Sequence, residues 1–472
     1  MEFHSANFFI FFFIVFAAYW LFKRLRLFCL VVGNVLFYGT AGLDMLAIFI
    51  AVTVITFWIV HRIRAGKHKK TFLWLGILIN VINLAFFKYT IFLFDTAERL
   101  FRSPIQLPDF FPAEIVLPVG ISFYTFQLIS YLIDVYRGEI EPTRSLVKFW
   151  VYISLFPQLV AGPIMRGNEL VPQLEQLEQK KLRWDEIKLG VYLFVIGLLK
   201  KIALADPIAS FVNPLFAKGL DLTGVESWLA AYAFGFQIYF DFSAYSDMAL
   251  GLGLMLGIRL IINFRSPYIS SNPSEFWERW HISLSRWIRD YIYIPLGGNR
   301  KGPIRVQFNL LAAMLISGLW HGAMWTFVVW GGIHGFLLIA YKWTRWLNRR
   351  ESIKRFRKHP LYRVAAVFVF YHIVTWTWVF FRAESIAQAI DMTVKMWTVS
   401  WPELFSAQPM GWIAALYLLH LIEFGARGNE ERLSAWWHRV PFPLRSAAYT
   451  VVLLTIFYFL KGETYAFIYF QF

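Results

Sequence analysis

A single cysteine, Cys29, occurs in 472 residues, so no disulfide forms within one chain, and neither a cysteine-rich metal site nor an acyl-cysteine mechanism has support. Cys29 lies inside an apolar run, where it reads as a small buried residue. Charge is scarce too: Asp, Glu, Lys and Arg make up 16% of the chain, against roughly a quarter in a soluble globular protein. A soluble chain of this length needs more polar surface than that. No G-x-S-x-G elbow is present, which disfavours a serine nucleophile of the hydrolase kind. The first seven residues carry no Lys or Arg, so the first apolar run is expected to be a retained span and not a cleaved signal.

In place of charge the chain has apolar and aromatic side chains, 58% and 19%, with a mean hydropathy of +0.52. Its solvent is largely lipid. The net charge of +16 does not signal nucleic acid, because no nucleic-acid module accompanies it. The basic residues gather in short loops beside apolar runs, as the positive-inside rule requires. Apolar runs fall at 7–22, 27–38, 43–60, 71–94, 115–135, 146–164, 189–205, 228–256, 306–319, 325–341, 364–381, 411–424 and 447–460. A span takes about 20 residues and several runs are short or broken, so the expectation is an all-α polytopic protein with about eleven crossings plus re-entrant and interfacial pieces. With no repeat, low-complexity run or linker, it reads as one membrane domain: N-terminal spans over 1–114, a core over 115–341 and C-terminal spans over 342–472.

Loop charge sets the expected orientation. Residues 23–26 and 61–70 are basic and follow the first and third spans, whereas 95–114 hold four acids against two arginines. The block 342–363 holds nine Lys/Arg and one Glu, the strongest cytoplasmic signal. Both termini are therefore expected outside the cytoplasm. The run 146–164 lies between two basic loops and contains Pro157, Gly162 and Pro163, so a re-entrant hairpin is expected there, beside a lined cavity. Residues 166–188 read as a surface-lying helix with Leu170, Leu174 and Leu177 inward. Residues 257–305 are too charged to span, and Phe276, Trp280, Leu284 and Trp287 recur at helical steps, the pattern of an amphipathic interfacial helix.

Two histidines stand out. His281 sits in FWERWHISLS, which begins at Phe276, and His321 in SGLWHGA, which begins at Ser317 at the end of an apolar run. An ionisable group at membrane depth is a functional candidate by default, set against a neutral histidine hydrogen-bonded inside the bundle. The first string continues as RWIRDYIYIPLGGNR to Arg300, and the second is followed by Trp325 and by GGIHG from Gly331. With LPVGISFYTFQ from Leu117, PQLVAGPI from Pro157 and YFDFSAYSDMA from Tyr239, this ordered set resembles the bacterial membrane-bound O-acyltransferases. The likeness is greatest to those that acetylate exported polysaccharides and more distant to the D-alanyl transferases of teichoic acid.

The resemblance implies a helical bundle around a central tunnel in a bacterial inner membrane, with no bound cofactor and no metal. It implies an acyl thioester reaching the tunnel from the cytoplasm, acetyl-CoA being the expected donor, and an acceptor hydroxyl from outside. A periplasmic partner of the SGNH-hydrolase-like kind is implied as well. The aromatic tail 465–472 is a candidate seat for that partner or an anchor in the interface. His321 matches the invariant histidine and is expected to be the general base, since an imidazole with a pKa near 6.5 suits that work at neutral pH. His281 is the candidate donor to the developing oxyanion or the group that orients the acyl group. Trp280 and Trp320 beside them are candidate substrate contacts, as are Asp241, Ser243, Tyr245 and Asp247 inside an apolar run; the alternative for those four is helix–helix hydrogen bonding. Arg279, Arg286 and Arg289 could meet donor phosphates or snorkel to headgroups. His334 reads as a supporting histidine, since a zinc site of His281, His321 and His334 has no ligand spacing within one helix.

Overall fold

The computed structural model describes all residues except 104–114, 161, 348–354, 356, 358, 407, 427, 428, 430, 431, 433–435, 438, 461–464, 471 and 472. Much of the acidic loop 95–114 and of the basic block 342–363 therefore lies outside the described residues. The described chain is helical almost throughout and contains no strand. It divides into two compact units: Met1–Ile196 with Tyr245–Ile262, and Gly197–Ala244 with Asn263–Phe472.

Among the described residues six helices are long and apolar enough to cross a bilayer: Leu43–Arg64, Lys69–Lys88, Gly302–His321, Pro360–Arg382, Pro409–Ala426 and Phe442–Phe459. The pair Ala6–Leu21 and Lys23–Gly39, bent by 116°, adds a seventh if it counts as one span. This is fewer than the apolar runs suggest. Apolarity marks burial in protein as well as in lipid. The 32-residue helix Gly224–Met255 shows the difference, for Asp241, Ser243 and Asp247 along it are buried with the apolar residues around them.

In the first unit the run 146–164 is broken, as its prolines require. A nine-residue helix, Leu146–Ser154, ends at Leu155 and a short turn, Phe156–Leu159, follows. Asn34 services the break: its Nδ2 donates to Ser154 Oγ at 3.0 Å and its Oδ1 accepts the Phe156 N–H at 3.0 Å. Buried backbone freed from a helix needs such a partner. Leu170, Leu174 and Leu177 all point inward, on the helix Gly167–Glu175 and the turn after it. Arg26, expected as a loop cation, is instead buried, donating to the carbonyls of Leu177 and Lys180 at 2.7 Å each, with its guanidinium over Trp20.

In the second unit the helices Gly302–His321 and Trp325–Leu347 form a tight hairpin across a three-residue turn. Their backbones meet at glycine: a Cβ on Gly318 would lie 2.2 Å from the Phe327 carbonyl oxygen, and one on Gly331 would lie 2.3 Å from that of Met314. Small residues permit this approach between membrane helices. It brings Trp330 of one helix against His321 of the other, with ring centroids 5.2 Å apart.

Candidate active site

The expected continuous helix through Phe276, Trp280, Leu284 and Trp287 is not continuous, although all four side chains are buried. Asn272 caps the helix Pro273–Arg279 by accepting the Glu275 N–H at 2.9 Å. Trp280 is extended, and His281 adopts a left-handed conformation, φ 43°, before a second helix, Ile282–Ile288. A left-handed turn costs a non-glycine residue about 1–2 kcal/mol, so something must hold it. The neighbouring segment does: the Ile282 N–H donates to the Asn263 carbonyl at 3.0 Å and the Ser283 N–H to Asn263 Oδ1 at 3.2 Å. On the other side the Arg265 N–H donates to the Arg279 carbonyl at 3.0 Å. The break turns the imidazole inward, where a straight helix would carry it round. His281→Gly is therefore expected to melt above His281→Ala by the equivalent of about 1 kcal/mol, the reverse of the order inside a helix. Equal melting points would remove the strain from this account.

His321 is the last residue of its helix and is almost completely buried. Its ring centroid lies 6.3 Å from that of His281, with Trp320 flanking both at 5.0 and 5.7 Å. Phe242 closes one side, 4.7 Å from His281, and Phe381 another, 5.3 Å from His321. The pair thus sits in an aromatic box of low dielectric. Burial pushes His281, in its turn outside the spanning helices, down to about 3, so its imidazole is neutral near pH 7.

Two buried donors border the pair. The indole N–H of Trp330 and the hydroxyl of Tyr469 have no hydrogen-bond partner among the described residues. Leaving such a group unpaired costs about 1–3 kcal/mol, and a bound carbonyl or alcohol would relieve it. Tyr469 touches both histidines, 5.5 Å from His321 and 6.5 Å from His281. It belongs to the aromatic tail 465–472, in which Phe467 and Ile468 are buried and Ala466 is exposed, while 471 and 472 lie outside the described residues. The tail's first contact with the core is Lys201, which donates to the Tyr465 carbonyl at 2.7 Å. Its second is the Ile468 N–H, donating to Asp241 Oδ2 at 2.7 Å.

The remaining expected residues scatter. His334 Nε2 meets Thr377 Oγ1 at 3.1 Å, and since that hydroxyl donates to the Val374 carbonyl at 2.7 Å, the imidazole is the donor. His334 also lies against Trp330, 4.8 Å between centroids. Trp280 packs on Trp378 at 4.9 Å and stacks on Phe276. Asp241 belongs to an ion cluster with Lys201, and Ser243 bonds within its own helix, to the Phe240 carbonyl at 3.5 Å. Tyr245 and Asp247 are buried in the first unit, Tyr245 against Phe3. Arg279 is engaged by Glu275 at 3.0 Å and by the Arg265 carbonyl. Arg289 pairs with Asp290 at 2.6 Å, and both it and Arg286 are exposed.

Sequence reading missed Trp330, Tyr469 and Lys201. For Lys201 a signal existed, since a lysine pair closing an apolar run is an ionisable group at membrane depth. Tyr469 had none beyond its place in a row of aromatics.

Fold and site together define a polytopic membrane protein with a histidine pair enclosed by aromatic rings. Residues 140–382, which include both histidines, match the model of the MBOAT, membrane-bound O-acyltransferase, family. The chain belongs to that family and is an acyltransferase. It is 41% identical over 386 residues to the probable alginate O-acetylase AlgI of Azotobacter vinelandii, covering 80% of this chain and 74% of the relative. To the protein of that name in Pseudomonas putida it is 40% identical over 430 residues, 88% and 85% of the two chains. To the peptidoglycan O-acetyltransferase of Helicobacter pylori it is 34% identical over 394 residues, 78% and 73%.

Proposed function

We propose that this acyltransferase carries an acetyl group from a cytoplasmic thioester, with acetyl-CoA as the ultimate donor, to a hydroxyl of an exported polysaccharide on the far side of a bacterial inner membrane. The observation that carries the reading is the buried His321–His281 pair, in a chain whose relatives bear the names of polysaccharide and peptidoglycan O-acetylating enzymes. His321 takes the proton of the attacking hydroxyl as the new C–O bond forms. The thioester C–S bond breaks and the departing thiolate receives that proton. His281, neutral and therefore carrying one ring N–H, donates to the carbonyl oxygen as negative charge builds on it. No resident cofactor or metal takes part in this scheme.

Tyr469 supports a second route through the same pair. Its ring lies 5.5 Å from that of His321 and carries an oxygen nucleophile, so the acetyl group can pass first to Tyr469 as an aryl ester and then to the acceptor, with His321 moving the proton in each step. Acetylated Tyr469 in a peptide from enzyme incubated with donor alone would distinguish this route from direct transfer.

The wider arrangement belongs to the proposal. It comprises about eleven crossings and re-entrant pieces around a tunnel, both termini outside the cytoplasm, and an SGNH-hydrolase-like partner receiving the group in the periplasm. Chemical analysis of the exported polymer with and without this protein is the test. Loss of acetyl esters is the expected result, whereas loss of alanyl esters would replace the cargo with D-alanine and unchanged esters would overturn the reading.

A further inference from the structure

The last segment of the chain reaches the histidine pair from far along the sequence and contributes Tyr469. Aromatic packing against Phe242, 5.6 Å from Phe467 and 4.6 Å from Tyr469, is not directional enough to set one register for so short a piece. Its polar contacts are. The π-helical turn Lys200–Ala205 points Lys201 into the protein, where its ammonium meets Asp206 at 2.8 Å, Asp241 at 2.9 Å and the Tyr465 carbonyl at 2.7 Å. Asp241 uses its other oxygen for the Ile468 N–H at 2.7 Å. The Tyr465 hydroxyl adds a contact with Ser210 Oγ at 3.2 Å. The side chains of Lys201, Asp206 and Asp241 are at most 4% exposed.

A buried ion cluster is a weak source of stability, because desolvation offsets most of the attraction, but it does impose geometry. Here two of its members bond the backbone of the same short segment, one at a carbonyl and one at an N–H. That fixes both the depth and the rotation of the piece that carries Tyr469.

We infer that Lys201 and Asp241 are positioning residues, a latch that seats the C-terminal segment so that Tyr469 stands against His321 and His281. The inference rests on the proposed role of that pair and adds to it how the site is completed. The latch does no chemistry itself. Opened, it leaves donor binding intact and lets the tail leave the site.

The test follows tail exposure and transfer together. In a Cys29→Ser background, Phe467→Cys provides a thiol at a position buried in the latched state, read with a water-soluble maleimide on the full chain in detergent or proteoliposomes. Asp241→Ala removes the acceptor for the Ile468 N–H and leaves Lys201 paired with Asp206. Ile468→Pro removes the same N–H from the tail side, at the first position of a short helical turn where proline fits. Each is expected to speed labelling about ten-fold and to lower kcat about ten-fold with the donor KM unchanged, the size of effect that follows loss of a charge-assisted hydrogen bond. If Asp241→Ala fails to fold, Ile468→Pro decides. Labelling at the parental rate in both variants, or transfer at the parental rate despite fast labelling, overturns the latch. His321→Ala separates this from the proposed chemistry: a wrong base would leave transfer intact there without altering the labelling result, and a wrong latch would leave His321→Ala inactive.

Discussion

His321→Ala is expected to lower acyl transfer by about 10²–10⁴-fold, the contribution of a positioned general base, in a protein that still inserts and elutes as the parent does. A hydroxyl is a poor nucleophile toward a thioester until its proton has somewhere to go. At this site the alternatives are few: His321 is enclosed by Trp320, Trp330, Phe381 and Tyr469, none of which is a base near neutral pH. His321→Gln tightens the test, since it keeps a polar side chain of similar reach without an imidazole, and it should fall as far. His281→Ala should lose less, on the order of 10²-fold, as removal of one oxyanion donor does. The measurement is acetyl transfer by purified protein in proteoliposomes, alongside thermal melting to confirm folding. Full transfer by a folded His321→Ala protein would falsify the assignment.

Gly318→Val is expected to be the most damaging apolar substitution in the second unit. The new Cβ would lie 2.2 Å from the Phe327 carbonyl oxygen and 3.1 Å from Gly331 Cα. Both are backbone atoms of the facing helix and cannot rotate aside. The hairpin must separate, at a cost of about 3 kcal/mol or more, the upper range for overpacking. His321 lies one turn beyond Gly318 and Trp330 next to Gly331, so separation also displaces the site. Gly332→Ala supplies the control, for its Cβ would meet only Leu315 Cδ2, at 3.6 Å. Melting in detergent should therefore drop for Gly318→Val and hold for Gly332→Ala. Equal melting of the two would mean that the close crossing is not what the glycine serves.

Gly318 shows how much of the site was legible in advance. Gly318 and Gly322 flank Trp320 and His321 in a recognisable string, so the string marked the place, but its reason lies in a helix that is only a turn away in sequence and pressed against it in space. At His281 the residues were legible and their conformation was not. A stripe of aromatics at helical steps describes one helix, whereas Asn263 stabilises two helices joined by a left-handed histidine. Local pattern reports which side chains avoid water. It carries no record of a turn held open by a distant amide.

Arg26, Arg279 and Asp241 make the same point for charge. Each reads as a surface or substrate group by composition, and each is engaged by partners elsewhere in its own unit: Arg26 by the carbonyls near Leu177, Arg279 by Glu275 and Arg265, and Asp241 by Lys201 and Ile468. Tyr469 was less foreseeable than any of these, because nothing in an aromatic tail distinguishes a ring resting in lipid from one seated beside a histidine.

The sequence by itself determined that the protein lives in a membrane and that it is helical, and it singled out His281 and His321 as candidates, because composition, apolar runs and short motifs are local properties. Only the tertiary structure decided which apolar helices are enclosed by protein, how the histidines face each other, and that the tail completes their surroundings. The physical reason is that lipid and protein interior favour the same side chains, while the partners that satisfy buried polar groups are chosen by long-range packing.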